Sequence, residues 1–272
     1  MMSILSFFLI FLSLFPDTNP SLSSPHVEPR SDQWCTNEDT CKHPDGRQDC
    51  DVGLAIQAFR QKILVEQPSS DWETDPYDKP MDDDQRRVLQ SVIDNPQVNC
   101  GLRYLDADRQ SYTLRTFPNE YETGKSDFTL THFGRCGACS SLQDLSLYLA
   151  FQTNLTILAR QCAFFTFVSD RLSAYCFRKL GFTDSCAQIW MYNSKNTRRH
   201  CWWTCLKSWV FGEAHNIGHQ GNATLNECLQ CDEGNSGLLF KYYAGRTRRN
   251  SGIVSGIGRP QHEIRSITHC YY

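Results

Sequence analysis

Apolar residues along the chain fall into three patterns, and each marks a different kind of element. The first is a run from Ile4 to Phe15, twelve residues long and apolar but for Ser6 and Ser13. A membrane span needs ~20 apolar residues, whereas the core of a signal peptide needs ~7–15. Pro16 and Asp17 end the run and small residues follow at Ser21, Ser23 and Ser24. Residues 1–23 therefore read as a signal peptide, and residues 24–34 as a flexible leader. The second pattern is helical. Between Asp51 and Glu66 apolar side chains recur at 52, 55, 56, 59 and 63, and Pro68 follows, which is the spacing of one helix face with a stop behind it. Met81–Asn95 repeats the pattern. It carries Asp82, Asp83 and Asp84 in its first turn, where the helix dipole favours negative charge, and Val88, Leu89, Val92 and Ile93 as a stripe expected to be buried. Helical spacing returns after Ser140–Ser141, over 155–181 with Gly181 as a stop, and over 185–211 as one helix or two. The third pattern is strict alternation, in Tyr112–Phe117 and Phe128–Phe133, the mark of half-buried strands. The last sixty residues are rich in glycine and turns. Together these predict an α+β fold that is mainly helical, disulfide-rich and built around a small antiparallel sheet.

Charge and cysteine content place this fold. The net charge is −3, but residues 32–99 hold fifteen acidic and seven basic side chains, while residues 100–272 hold thirteen and nineteen. The expectation is one disulfide-crosslinked domain, 35–272, within which 35–99 is a candidate acidic subdomain and 100–272 the main body. The basic residues are scattered, so no nucleic-acid partner is expected. No segment after the first is apolar enough to span a membrane. All fourteen cysteines follow the signal segment, and an even, high count in an exported chain reads as a disulfide framework. Asn154-Leu155-Thr156 and Asn222-Ala223-Thr224 are N-glycosylation sequons and imply surface positions in a secreted or lumenal glycoprotein.

Chemistry points to one segment. Gly134-Arg135-Cys136-Gly137-Ala138-Cys139 lies between the strand ending at Phe133 and the helix opening at Ser140–Ser141. Free N–H groups at a helix N-terminus stabilise a thiolate. Over about twenty residues this context resembles the redox segment of the thioredoxin and protein-disulfide-isomerase group. That resemblance implies Cys136 as the attacking thiol and Cys139 as the resolving one, although Arg135 stands where the group has an aromatic residue. The segment also resembles the nucleophile region of papain-like cysteine peptidases. That likeness implies Cys139 as nucleophile, Cys136 in a structural bridge, and His269 or His215 as base. Permanent bridges to partners elsewhere are the third reading, and zinc held by Cys-x-x-Cys pairs a fourth. No cofactor or metal is expected.

Four further features extend the set of candidates. His132 precedes Cys136 on the alternating strand and is a candidate base. Glu213 and His215, with His219 beyond them, are candidate acid–base residues, and Asp232 is a further carboxylate for a hydrolase. Arg246, Arg248 and Arg249 form a candidate site for an anion such as a sulfated sugar or phosphate, or a processing site, or a solvated turn. Trp202 and Trp203 would suit carbohydrate if exposed. Three functions follow: a secreted enzyme of thiol–disulfide chemistry, a non-catalytic extracellular binding protein, or a hydrolase using Cys139 or Glu213.

Overall fold

A computed structural model describes residues 52–66, 68, 74–217, 224–267, 269 and 271. The expected signal peptide and leader, Cys35, Cys41, Cys50, Cys270, His219 and Asn222 lie outside the described residues.

The alternating segments form the sheet. Strands β1 (Ile63–Leu64), β2 (Asn99–Tyr104), β3 (Ser111–Phe117) and β4 (Thr129–Phe133) are ordered β1-β3-β2-β4. β2 pairs antiparallel with both β3 and β4, with a register shift between Cys100 and Gly101. β1 joins the β3 edge in parallel, so the sheet is mixed. The reason lies in the first helix. α1 (Val52–Gln61) stops before the β-favouring Ile63-Leu64-Val65 run, and the Ile63 and Val65 N–H groups donate instead to Gln110 O and Tyr112 O. Phe59 of α1 is wholly buried and its ring meets that of Tyr271 at 5.7 Å. Phe59 and Tyr77, from the acidic stretch, belong to the same buried cluster as Leu142, Leu145, Phe177 and Ile189.

α2 (Asp83–Asp94) starts where its acidic triplet indicated. Asp82 Oδ1 accepts from the Gln85 N–H at 2.7 Å, and Gln85 Oε1 accepts from the Asp82 N–H at 3.1 Å, a reciprocal cap that satisfies two orphan donors. Its stripe is not buried as expected: Val88 is 64 % exposed and none of the helix's residues is fully buried. α2 lies on the outside of the fold, and only Met81 and Leu89 from this region pack on the core.

After a short α3 (Glu120–Lys125), the body is a set of helices crosslinked by cysteines. α4 (Leu142–Ala150) is capped by Ser141, whose Oγ accepts from the Asp144 N–H, and it turns Leu142, Leu145 and Leu149 into the core. The 155–181 stretch divides into α5 (Leu155–Phe164) and α6 (Asp170–Leu180), where Ser169 caps a new helix. Cys162–Cys176 ties the two together. Gly181, at φ +117°, ends α6. α7 (Asp184–Val210) is one continuous helix, and Cys201–Cys231 and Cys205–Cys228 bind its second half to α8 (Glu227–Asp232). A small hairpin, β5 (Asn216–Ile217) with β6 (Thr224–Leu225), separates them. The turn-rich tail proves partly helical. A π-helical segment, Glu233–Gly237, leads from α8 into α9 (Leu238–Ala244).

Candidate functional site

β4 delivers its end to a glycine turn at Gly134, φ +83°, and the chain enters the Cys136–Cys139 segment. The two cysteines do not pair with each other. Cys136 is bridged to Cys100 on β2, and Cys139 to Cys186 in the first turn of α7. Both are buried. This differs from the adjacent redox pair that the thioredoxin-like resemblance implies, and it agrees with permanent bridging. The N–H groups that would stabilise a thiolate are also occupied. Those of Ala138 and Cys139 donate to Tyr243 O and Ala244 O, each at 2.9 Å, and that of Gly137 to Ser140 Oγ at 2.8 Å. The segment thus lies flat against the end of α9, held by backbone bonds on one side and by disulfides at both ends.

His132 belongs to this knot in a way the sequence does not suggest. Its Nδ1 lies 2.9 Å from Phe133 O and its Nε2 2.7 Å from Ser140 Oγ. Because a carbonyl only accepts, Nδ1 carries the proton and Nε2 accepts from the Ser140 hydroxyl. Burial, and then the nearby Arg246 guanidinium, hold this imidazole well below the ordinary histidine range, so it is a neutral link between β4 and the cysteine segment. Arg246 itself is wholly buried, not a surface basic residue. Its guanidinium donates to Thr131 O, Thr131 Oγ1, Ser140 O and Ser251 Oγ at 2.6–3.2 Å. Close by, Asp144 is pushed up to about 6 by burial, against the pull of its Ser141 and Thr183 hydrogen bonds. His269, buried and facing Arg246, is pushed down to about 3, and its Nε2 donates to Ser251 O at 2.7 Å.

The other sequence candidates are dispersed. Glu213 and His215 lie in the loop after α7, and His215 Nδ1 is 3.3 Å from Gly256 O. Burial, followed by the charges of Arg160 and Arg248, lowers the His215 pKa. Neither residue joins the cysteine segment. Asp232 is half-buried, hydrogen-bonded to Thr197, and pushed up to about 6 by the desolvation of its carboxyl. Asn154 is exposed at the start of α5 and makes no cap bond there. Of the basic cluster, Arg248 donates to Gln152 O and Thr156 Oγ1, and Arg249 pairs with Glu263 at 2.6 Å and Glu233 at 3.5 Å. Arg246, Arg248 and Arg249 therefore do not form one surface site. Only Arg249 reaches a cleft.

That cleft, of about 330 Å³, is the feature the sequence did not reveal. It opens between the C-terminal end of α2, the turn after β4, α9 and residues 245–265. Two cations lie over aromatic rings in its wall: Arg135 over Tyr242 at 4.3 Å, and Arg265 over Phe133 at 5.0 Å. Lys241, Arg249 and His262 add further positive or titratable groups, against Asp94 and Glu263. A guanidinium over an aromatic face is held there by the ring's electrostatic attraction, which places positive charge at the wall of this cleft. Three stretches distant in sequence, 92–95, 133–135 and 241–265, make this wall, so no local spacing encodes it.

Residues 170–267, a little over a third of the chain, match the model of a family of unknown function (DUF8771). No curated protein and no solved structure matches the chain. Five disulfides among the described residues suit an oxidising compartment, and no helix among these residues is long and apolar enough to cross a membrane.

Proposed function

We propose that this chain is a secreted, non-catalytic binding protein whose cleft between α2 and α9 takes an anionic ligand, a sulfated or phosphorylated sugar being the chemistry that fits best. The observation that carries the reading is the pair of guanidinium groups lying over aromatic rings, Arg135 over Tyr242 and Arg265 over Phe133, in one cleft. Arginine held in a plane recognises sulfate, phosphate or carboxylate by paired hydrogen bonds, and the aromatic faces beside it suit a sugar ring. The exposed Asn154 sequon and the cysteine framework support a glycosylated, exported protein.

Heparin-derived oligosaccharide titrated into the full-length secreted protein tests the reading. Binding that weakens about tenfold or more in Arg135→Ala/Arg265→Ala, with unchanged melting temperature, supports it. Equal binding by that variant, or none by the native protein, contradicts it. The rival use, thiol–disulfide exchange at Cys136 and Cys139, requires that both bridges open under mild reductant and that Cys136→Ser/Cys139→Ser abolish an activity while secretion persists.

A further inference from the structure

The start of α5 gathers cations that no carboxylate pairs with among the described residues. Arg248 lays its guanidinium along the entrance to that helix, donating to Gln152 O at 3.1 Å and to Thr156 Oγ1 at 3.5 Å. Arg160 stands one turn on from Thr156, on the same helix face, and makes no hydrogen bond or ion pair among the described residues. Its Nη2 is nonetheless shut off from solvent. So is Gln152 Nε2, which also lacks a partner there. Orphaned buried donors cost free energy, and a charged one costs most. His215 is brought beside them by the loop before residue 258. Its Nδ1 lies 3.3 Å from Gly256 O, and Gly256 sits so close to the chain entering α5 that a Cβ on it would lie 2.4 Å from Thr153 O. The charges of Arg160 and Arg248 both reach the His215 ring, and that of Arg259 reaches Arg248. Like charges are thus held together here, and the carboxylates of this region are engaged elsewhere. Asp232 is the one whose charge acts on Arg160, but it is bound by Thr197 and pushed up to about 6. Glu233 is shared among Lys241, Arg249 and Arg259.

We infer that Arg160, Arg248 and the Gln152 amide, at the start of α5, hold a chloride ion. An anion seated there answers two guanidinium charges and turns the orphaned donors into charge-assisted hydrogen bonds. The close approach of Gly256 to Thr153 leaves space for a single ion and not for a sugar ring. Arg160 and Gln152 each keep part of their surface in solvent, which gives the ion a way in. None of these residues lines the α2–α9 cleft, so the site does not depend on the function proposed for that cleft.

Two salts of equal ionic strength test the inference. The full-length protein is melted in sodium chloride and in sodium gluconate, whose anion is too large for the space, and the line width of the chloride NMR signal is followed as protein is added. The expected result is a melting temperature higher by about 3 °C or more in chloride, as for any ion that binds only the folded chain, together with broadening of the chloride signal. Arg160→Met should lose both effects and be at least as stable as the native protein in gluconate, because it removes an unanswered charge. Gln152→Leu, which leaves every charge in place, should at least halve the rise. Arg135→Ala/Arg265→Ala should keep both effects in full. Equal melting of the native protein in the two salts overturns the inference, as does an undiminished rise in Arg160→Met. Loss of stability or of folding by Arg160→Met in gluconate also overturns it and makes Arg160 a structural residue.

Discussion

Gly137 and Gly245 meet where two backbones cross, and neither has room for a side chain. A Cβ on Gly245 would lie 2.5 Å from Gly137 N, and one on Gly137 would lie 2.7 Å from Gly245 N and 2.5 Å from Tyr243 O. The contacting atoms are backbone, which cannot rotate away. The glycine of the Cys-Gly-Ala-Cys segment is thus required by its crossing with the end of α9, and the two flanking disulfides hold that crossing shut.

Three glycine-to-alanine variants separate this crossing from ordinary glycine effects. Gly245→Ala combines a positive φ of 70° with the clash and should cost about 3 kcal/mol or more. Gly212→Ala has a positive φ of 61° but open space, and should cost only about 1 kcal/mol. Gly124→Ala, helical and unobstructed, should be neutral or stabilise by up to about 1 kcal/mol. Urea unfolding of the three proteins gives the order. Equal losses at 245 and 212 would show that the crossing is loose.

Arg246 is the cation at the centre of the fold, and its neutral acceptors fix what its loss would do. Arg246→Met removes four hydrogen bonds and leaves Thr131 O and Ser140 O without that donor. The expected loss is about 3–5 kcal/mol, since orphaned buried acceptors cost about 1–3 kcal/mol each. Arg246→Lys keeps the charge but not the fork, and should recover less than half of that. Differential scanning calorimetry of both variants measures it. A melting temperature within a degree or two of native in Arg246→Met would contradict the account.

Acid stability follows from groups that oppose one another. The folded pKa of His269, about 3, lies below the ordinary value of about 6.5. The unfolded chain therefore takes up this proton first, and the contribution of His269, complete above about pH 6.5, is lost as pH falls towards 3. His132 and His215 are lowered too and act with the same sign. Asp144 and Asp232, both raised to about 6, act oppositely: the folded chain holds their protons first, so stability falls as pH rises from about 4 to 6. From about pH 4 to 6 the two aspartates offset most of what these histidines lose, and below about 4 the aspartates no longer oppose them. Melting temperature should be nearly flat across the upper window and fall steeply below it, less steeply in His269→Asn. A steady fall from pH 6.5 downwards would show that the aspartates are not raised.

The sequence exposed some of this and hid the rest for identifiable reasons. The strands were legible because Tyr112–Phe117 and Phe128–Phe133 alternate, and Asp82, Ser141 and Gly181 marked helix boundaries because capping chemistry is local. β1 was missed because Ile63 and Leu64 also fit the helical spacing that precedes them, and only Gln110 and Tyr112, across the sheet, decide between the two. The stripe of α2 was misread because amphipathic spacing says which face is apolar and not whether anything covers it. Cys136 and Cys139 sit at the strand-to-helix junction as expected, yet their partners are 36 and 47 residues away, and adjacency in sequence says nothing of pairing. Arg246 read as a surface residue because charge dominates any local reading, while its burial depends on acceptors from Thr131 on β4, Ser140 ahead of α4 and Ser251. The Tyr242 and Phe133 rings under Arg135 and Arg265 come from segments that no spacing connects.

Each of the two bridges at the knot closes a loop of 36 or 47 residues, for which the chain-entropy model gives roughly 4 kcal/mol. Cys139→Ser/Cys186→Ser should lower stability by about that amount and leave heparin binding at the α2–α9 cleft intact at low temperature. Loss of binding in a variant that remains folded by circular dichroism would mean that the bridge takes part in function directly.

The most direct test of the structural knot is to digest the full-length protein without reductant, after alkylating any free thiol, and to identify the crosslinked peptides by mass spectrometry. The account predicts peptides joining Cys100 to Cys136 and Cys139 to Cys186, with no label on any of the four. A Cys136–Cys139 crosslink, or alkylation of either residue, would contradict it and return the segment to thiol chemistry.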